Sequence, residues 1–253
     1  MELRERHRAM FVGFCSAFYF EDDEHFKNYK LKEKHSLRVC DNSDEILGDA
    51  VHPELRDITW ISSLYHDLGR FPQYMQYRTF KDSESVNHGL LSSLVLQRGN
   101  LLDEFNERQK GIIINAVKFH NAYHIPPDIT DEDTITALKV VRDADKLDIW
   151  KVFIDFYNED DSTRPSAVGL GFPDTPTYSP SFVEGIYNNT MLRLSDVKCL
   201  NDFKLLQLSW VFDLNLNESL RILQKRQYID LIANTLPDTH EIRGVMTHLK
   251  DYI

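Results

Sequence analysis

The stretch Pro53–Gly69, PELRDITWISSLYHDLG, decides the fold class. Pro53 suits the first turn of a helix, and Ile58, Ile61, Leu64 and Leu68 recur at helical spacing along one apolar face. Gly69 reads as the stop. Two side chains break the pattern, because His66 and Asp67 stand together at the end of that face. Burying a carboxylate costs several kcal/mol unless it is paired or coordinated, so the dyad needs a partner.

Outward from this segment the helical period continues. Leu31, His35, Arg38, Val39, Asn42 and Ile46 share a face upstream. Downstream, Asp82 or Ser83 is expected to cap a helix that carries His88, Leu91 and Val95 and ends near Gly99. In ERQKGIIINAVKFHN, Ile113, Ala116, Val117 and His120 form a stripe. Thr130 with Asp133 reads as a capping box before TITALKVVRDADKLDIWKVFIDFY, where Leu138, Val141, Asp145, Ile149 and Val152 line one face. Residues 158–180 are rich in Pro, Gly, Asp and Ser and read as a long loop. Three further amphipathic helices are expected after it, the last opened by Asp238 and Glu241. No β-alternation or internal repeat competes. The expected fold is all-α: a single compact helical bundle over 1–253, with a motif-bearing core at about 31–150 and C-terminal helices at about 181–253 packed on it.

At 42% hydrophobic, 253 residues supply ample core. The net charge of −11, from 29 Lys+Arg against 40 Asp+Glu, argues against a long nucleic acid as partner but leaves room for a local cationic pocket. Cys15, Cys40 and Cys199 are odd in number and widely spaced, which suits a reducing compartment better than a disulfide framework. The run RERHRAMFVGFCSAFYF is interrupted by acidic Glu5, is too short to span a bilayer, and is followed by EDDEH rather than a cleavage site. It reads as a buried helix. The expected location is cytoplasmic, with no membrane partner.

Five of these helices each deliver a metal-capable side chain: His35, His66 with Asp67, His88, His120 and Asp145. Neutral imidazole and carboxylate suit divalent ions such as Zn, Fe, Mn, Ni and Co, and helices hold such ligands rigidly. One buried histidine has an ordinary explanation in hydrogen bonding, but that explanation would have to be repeated on five helices. In their order and contexts, KEKHSLRV, LYHDLGRF, VNHGLLSS, VKFHN and VRDADKLD, these residues resemble the HD-domain metal-dependent phosphohydrolase superfamily, from about Leu31 to Trp150. The resemblance implies that His35, His66, Asp67 and Asp145 form the basic metal site. It also implies that His88 and His120 match the additional histidines of two-metal members, such as bacterial HD hydrolases of diadenosine polyphosphates. Asp67 would then bridge one ion to the other. The cofactor expected is one or two divalent ions drawn from Mn, Fe, Zn, Ni, Co or Mg. The Gly-Tyr-Pro signature of the cyclic-dinucleotide branch is missing, which argues against a cyclic di-GMP phosphodiesterase.

Arg70 takes a position often filled by Lys or Arg in this superfamily, and its planar fork suits a phosphate. Asp67 and Arg70 are the expected catalytic residues. Arg70, Lys146 and Arg38 are the expected substrate contacts, with Arg78 and Lys81 nearby in YRTFKDSES and His124 as a candidate proton donor. The function expected is hydrolysis of a small phosphoester or phosphoanhydride, a nucleotide by preference, using metal-activated water. Two rivals share the ligand set. One is a di-iron centre that activates oxygen, as a few members of the superfamily do. The other is a non-enzymatic module that binds metal and nucleotide.

Overall fold

A computed structural model describes residues 2–19, 23–49, 51–158 and 171–253. Among them all regular structure is helical: α1 (Leu3–Ser16), α2 (Asp23–Leu47), α3 (Pro53–Tyr65), α4 (Arg70–Tyr77), α5 (His88–Arg98), α6 (Glu107–Phe119), α7 (Glu132–Asn158), α8 (Pro180–Tyr187), α9 (Leu200–Ser209), α10 (Asn217–Lys225), α11 (Tyr228–Ala233) and α12 (His240–Tyr252). Short 3-10 turns stand at Asp82–Glu84, Leu194–Asp196 and Trp210–Asp213. The chain is all-α, as its periodicity predicts. Of the loop expected over 158–180, residues 159–170 lie outside the described residues, as do residues 20–22 at the end of the N-terminal run; 171–179 are irregular. The contacts divide the chain into two units, with the boundary inside α7 between Asp148 and Ile149.

In the first unit α3 packs against α1, α2 and α6. Every residue of α3 from Ile58 to Tyr65 is buried, so this part of the helix has no solvent face and is a core element. Two of its buried hydroxyls return to the helix: Thr59 Oγ1 donates to the Leu55 carbonyl at 2.7 Å and Ser62 Oγ to that of Ile58 at 2.8 Å. Around it lie Phe11, Phe71, Ile113, Ala116, Leu138 and Val141, all without solvent exposure. Tyr29 stacks on Phe71 at 6.0 Å between ring centroids, and Phe11 meets the same ring edge-on at 6.3 Å.

Several boundaries differ from the sequence reading, each for a local reason. α3 ends at Tyr65, so His66–Gly69 form the turn into α4 and Leu68 packs from that turn. Helix α5 starts at His88; its cap is Asn87, whose side chain accepts from the Leu90 N–H at 2.8 Å, while Asp82 and Ser83 form a separate 3-10 turn. Ahead of α7 the capping carboxylate is Asp131, which accepts from the Thr134 N–H at 2.9 Å, rather than a Thr130–Asp133 box. Thr239 caps α12 in place of Asp238.

The second unit runs from Ile149 through the C-terminus. It contains α8 to α12, five short α-helices where three were expected. α8 packs on α9 and α12, and α11 on α9, α10 and α12. Trp150 is fully buried, and its indole N–H donates to the Gln207 carbonyl at 3.0 Å. No described helix is long and apolar enough to cross a membrane.

Candidate metal centre

Six side chains of the first unit converge: His35 from α2, His66 and Asp67 from the α3–α4 turn, His88 at the start of α5, His120 just beyond α6, and Asp145 from α7. Their ligand atoms fall into two groups. His35 Nε2 lies 3.2 Å from His66 Nε2, 3.1 Å from Asp145 Oδ1 and 3.5 Å from Asp67 Oδ2. His88 Nε2 lies 3.0 Å from His120 Nε2 and 3.5 Å from Asp67 Oδ1, with His120 Nε2 4.0 Å from that oxygen. Asp67 thus gives one oxygen to each group.

Local folding aims every ring. His66 and His120 each follow the last residue of a helix, and each Nδ1–H donates to the carbonyl three residues back, Ser63 and Val117, at 2.7 Å. Those carbonyls belong to the last helical turn and have no intrahelical donor, so the histidine side chains supply it. His35 Nδ1 donates to Asp148 Oδ2, and His88 Nδ1 to Asp82 Oδ2, both at 2.7 Å. Carbonyl and carboxylate oxygens only accept, so all four rings carry hydrogen on Nδ1 and turn Nε2, the ligating nitrogen of the neutral ring, into the cluster.

Two glycines let these ends meet. A Cβ on Gly69 would stand 2.6 Å from the Ser92 nitrogen and 2.7 Å from the His88 carbonyl oxygen. At Gly89 it would stand 2.6 Å from Asn121 Oδ1 and 2.7 Å from the Lys118 carbonyl oxygen. Gly69 therefore brings α5 against the dyad, and Gly89 brings the end of α6 against α5. Gly69 has φ −63°, an ordinary helical value. It serves close approach rather than helix termination.

The electrostatics suit a cation. Burial would raise the Asp67 carboxyl, but Lys32, then His66, Arg70 and His88, hold it well below the usual carboxylate range. Asp145 is also driven well down, against its burial, by its contacts with His35 and His66. Asp145 and Asp148 in turn raise His35 against its burial and the nearby Lys32 charge, an effect a bound cation would oppose. Burial with neighbouring His88 and His66 pushes His120 well below the ordinary histidine range, and burial with Arg70 pushes His88 down, so both rings favour the neutral, ligating form. Asp67 Oδ1 is buried with no hydrogen-bond partner. Imidazole nitrogens facing each other at 3.0 and 3.2 Å, the first pair beside the orphaned Asp67 Oδ1 and the second beside Asp145 Oδ1, fit a divalent ion in each group. The ligand atoms of His35, His66 and Asp145 lie within 4.8 Å of one another, as do those of His66, Asp67 and His120.

The flanking residues sort by contact. Arg70 Nη1 is held by Gln73 Oε1 at 2.9 Å, Asp82 Oδ1 at 3.0 Å and the Phe80 carbonyl. That leaves its Nε–Nη2 edge toward the centre, with Nε 3.4 Å from Asp67 Oδ1 and Nη2 3.4 Å from His88 Nε2. Arg38 instead pairs bidentately with Asp148, at 2.6 and 2.8 Å, and so braces the carboxylate that holds His35. Lys146 is half-buried on α7, one residue beyond Asp145. Lys81 pairs with Glu84 at 3.2 Å, and His124 is exposed in the loop after α6, against the Tyr123 ring.

Sequence reasoning missed Lys32 and the full role of Asp82. Lys32 Nζ lies 2.8 Å from Asp67 Oδ2 with only 15% of the side chain exposed. Its place three residues before His35, on the same helical face, was a signal that could have found it. Asp82 gave no such signal, because its partners come from α4, α5 and the residue after His120.

The family model of the HD domain matches residues 33–150, a span that contains all six converging side chains. No curated protein and no solved structure matches the chain.

Proposed function

The chain belongs to the HD metal-dependent phosphohydrolase superfamily through residues 33–150, and on that premise we propose that it hydrolyses a small phosphoester or phosphoanhydride, a nucleotide by preference, at a centre of two divalent ions. The observation that carries the reading is the division of Asp67, with Oδ2 facing His35 and His66 and Oδ1 facing His88 and His120. A divalent ion in such a ligand set lowers the pKa of a bound water toward neutrality.

The chain's own groups do the remaining work. Asp67, held ionised, keeps positive charge close on both sides and orients a water molecule between the groups. The Nε–Nη2 edge of Arg70 offers two parallel N–H donors for phosphoryl oxygens, and Lys32 places a second cation beside the opposite carboxylate oxygen. Lys146 is the further cation proposed for the substrate. Arg38 contributes through Asp148 to the aim of His35, a positioning role in place of a direct phosphate contact.

The test is phosphate release from a panel of nucleotides and small phosphoesters by metal-stripped protein, with Mn, Fe, Co, Ni, Zn or Mg restored singly, with and without oxygen, and with His66→Ala as control. The reading expects release that needs metal and His66 but not oxygen. Turnover that needs iron and oxygen would replace it with an oxygenase, and ligand binding with no turnover under any metal would replace it with a binding module.

A further inference from the structure

Asp82 lies outside the set of converging ligands, yet its carboxylate gathers more donors than any of them. Oδ1 accepts from Arg70 Nη1 and Gln73 Nε2, each at 3.0 Å. Oδ2 accepts from His88 Nδ1 at 2.7 Å, from Asn121 Nδ2 at 3.2 Å and from the His88 backbone N–H at 3.3 Å. Gln73 is fully buried, and its Nε2 also reaches Ser85 Oγ at 2.8 Å and the Val86 carbonyl at 2.9 Å, which ties the 82–87 segment to α4.

We infer that Asp82 is a positioning residue that fixes both the proton on His88 and the direction of Arg70, so that one carboxylate prepares the second ion's site and the phosphate-binding edge together. The inference rests on the two-ion reading above and deepens it.

The chemistry is specific because all five contacts bring a hydrogen to Asp82. An asparagine there offers one accepting oxygen and one donating amide. Arg70 cannot give up its proton and Gln73 Nε2 cannot become an acceptor, so that side keeps the oxygen. The amide then faces His88 Nδ1. The Asn121 amide can turn its oxygen to meet it and the 3.3 Å contact from the His88 N–H is lost, while the imidazole ring, at the shortest contact, answers by exchanging tautomers, releasing the Nδ1 hydrogen and carrying it on Nε2 instead. A hydrogen on Nε2 blocks the lone pair that faces His120 and Asp67 Oδ1. The substitution is nearly isosteric, so its effect is directed at one nitrogen rather than at packing. His35 and His66 take their hydrogens to Asp148 and Ser63, so the first group is untouched.

The experiment compares wild type with Asp82→Asn by calorimetric titration of Mn2+ into metal-stripped protein, with thermal melting and 15N shifts of the His88 ring read on the same samples. The expected result is two ions in wild type, an unchanged first affinity in the variant, and a second affinity weakened by about 10- to 100-fold. The His88 shifts should report hydrogen on Nδ1 in wild type and on Nε2 in the variant, with similar melting temperatures. Two ions bound with wild-type affinity by the variant would overturn the role of Asp82 alone. Loss of both ions together with a lowered melting temperature would also overturn it, making Asp82 a structural residue. A wild type that takes a single ion would overturn the two-ion reading, and this inference with it.

Discussion

Asp67 faces a different neighbourhood with each of its oxygens: Lys32, His35 and His66 near Oδ2, and Arg70, His88 and His120 near Oδ1. Replacing it with alanine removes a ligand from both groups, so Asp67→Ala should lose phosphate release and most bound metal, the second checked by elemental analysis. Arg70→Ala should separate those effects. It removes the donor edge but no ligand, so turnover should fall by about 100-fold or more while metal content stays near wild type. Lys32 works in the other sense. Its ammonium sits on the oxygen that the proposed first ion would need, and removing a charge at that distance should tighten Mn2+ binding in Lys32→Met by about tenfold or more. Calorimetry on stripped protein checks it, and weaker binding would make Lys32 a structural support for Asp67.

Among the elements, the helix ends matter more than the helices. His66 and His120 are recognisable in sequence as candidate ligands because a histidine at the close of an apolar stripe is out of place, and helical spacing alone brings out His35 and Asp145. What periodicity does not carry is how ends from distant parts of the chain approach one another. Gly69 reads locally as a stop, yet its missing Cβ is required by Ser92 and His88, more than 18 residues away. Gly89 meets Lys118 and Asn121 in the same way. Gly89→Ala should therefore destabilise the protein by about 1–3 kcal/mol, since a backbone carbonyl cannot move aside as a side chain can. It should also lose the second ion before the first. Gly111→Ala is the control: nothing lies within 4 Å of a Cβ there, inside α6, and helix propensity predicts a gain of up to about 1 kcal/mol. Thermal melts and Mn2+ titrations of the two variants distinguish close approach from a general intolerance of glycine replacement. Lys32 and Asp82 escaped for a related reason: their partners are fixed by tertiary contact, and a charged residue on a helix or in a turn has many solvated explanations.

For the whole molecule, the all-α class was legible because hydrophobic period dominates a helical chain, and the order of the candidate ligands was legible because each falls in a helix or within two residues of a helix end. The five short helices of the second unit were not, since breaks such as the 3-10 turn at Trp210–Asp213 follow from packing rather than from proline or glycine. In the first unit the converging ligands place four imidazoles and two carboxylates in or beside the core. Without ions these groups are held by one another and by Lys32 and Arg70. Binding to the folded state alone should stabilise it by mass action, about 2.7 kcal/mol at a hundredfold excess over Kd. Chelation should thus lower the melting temperature and added Mn2+ should restore it in a concentration-dependent way, whereas a protein carrying His66→Ala should respond weakly.

If Asp67 holds two ions together, electron paramagnetic resonance of the protein loaded with two equivalents of Mn2+ will show them coupled. An exchange-coupled pair is expected in wild type, and a lone-ion spectrum when His88 and His120 are both replaced by alanine. Two equivalents bound with only the spectrum of isolated ions would contradict it, because ions sharing Asp67 cannot be magnetically independent.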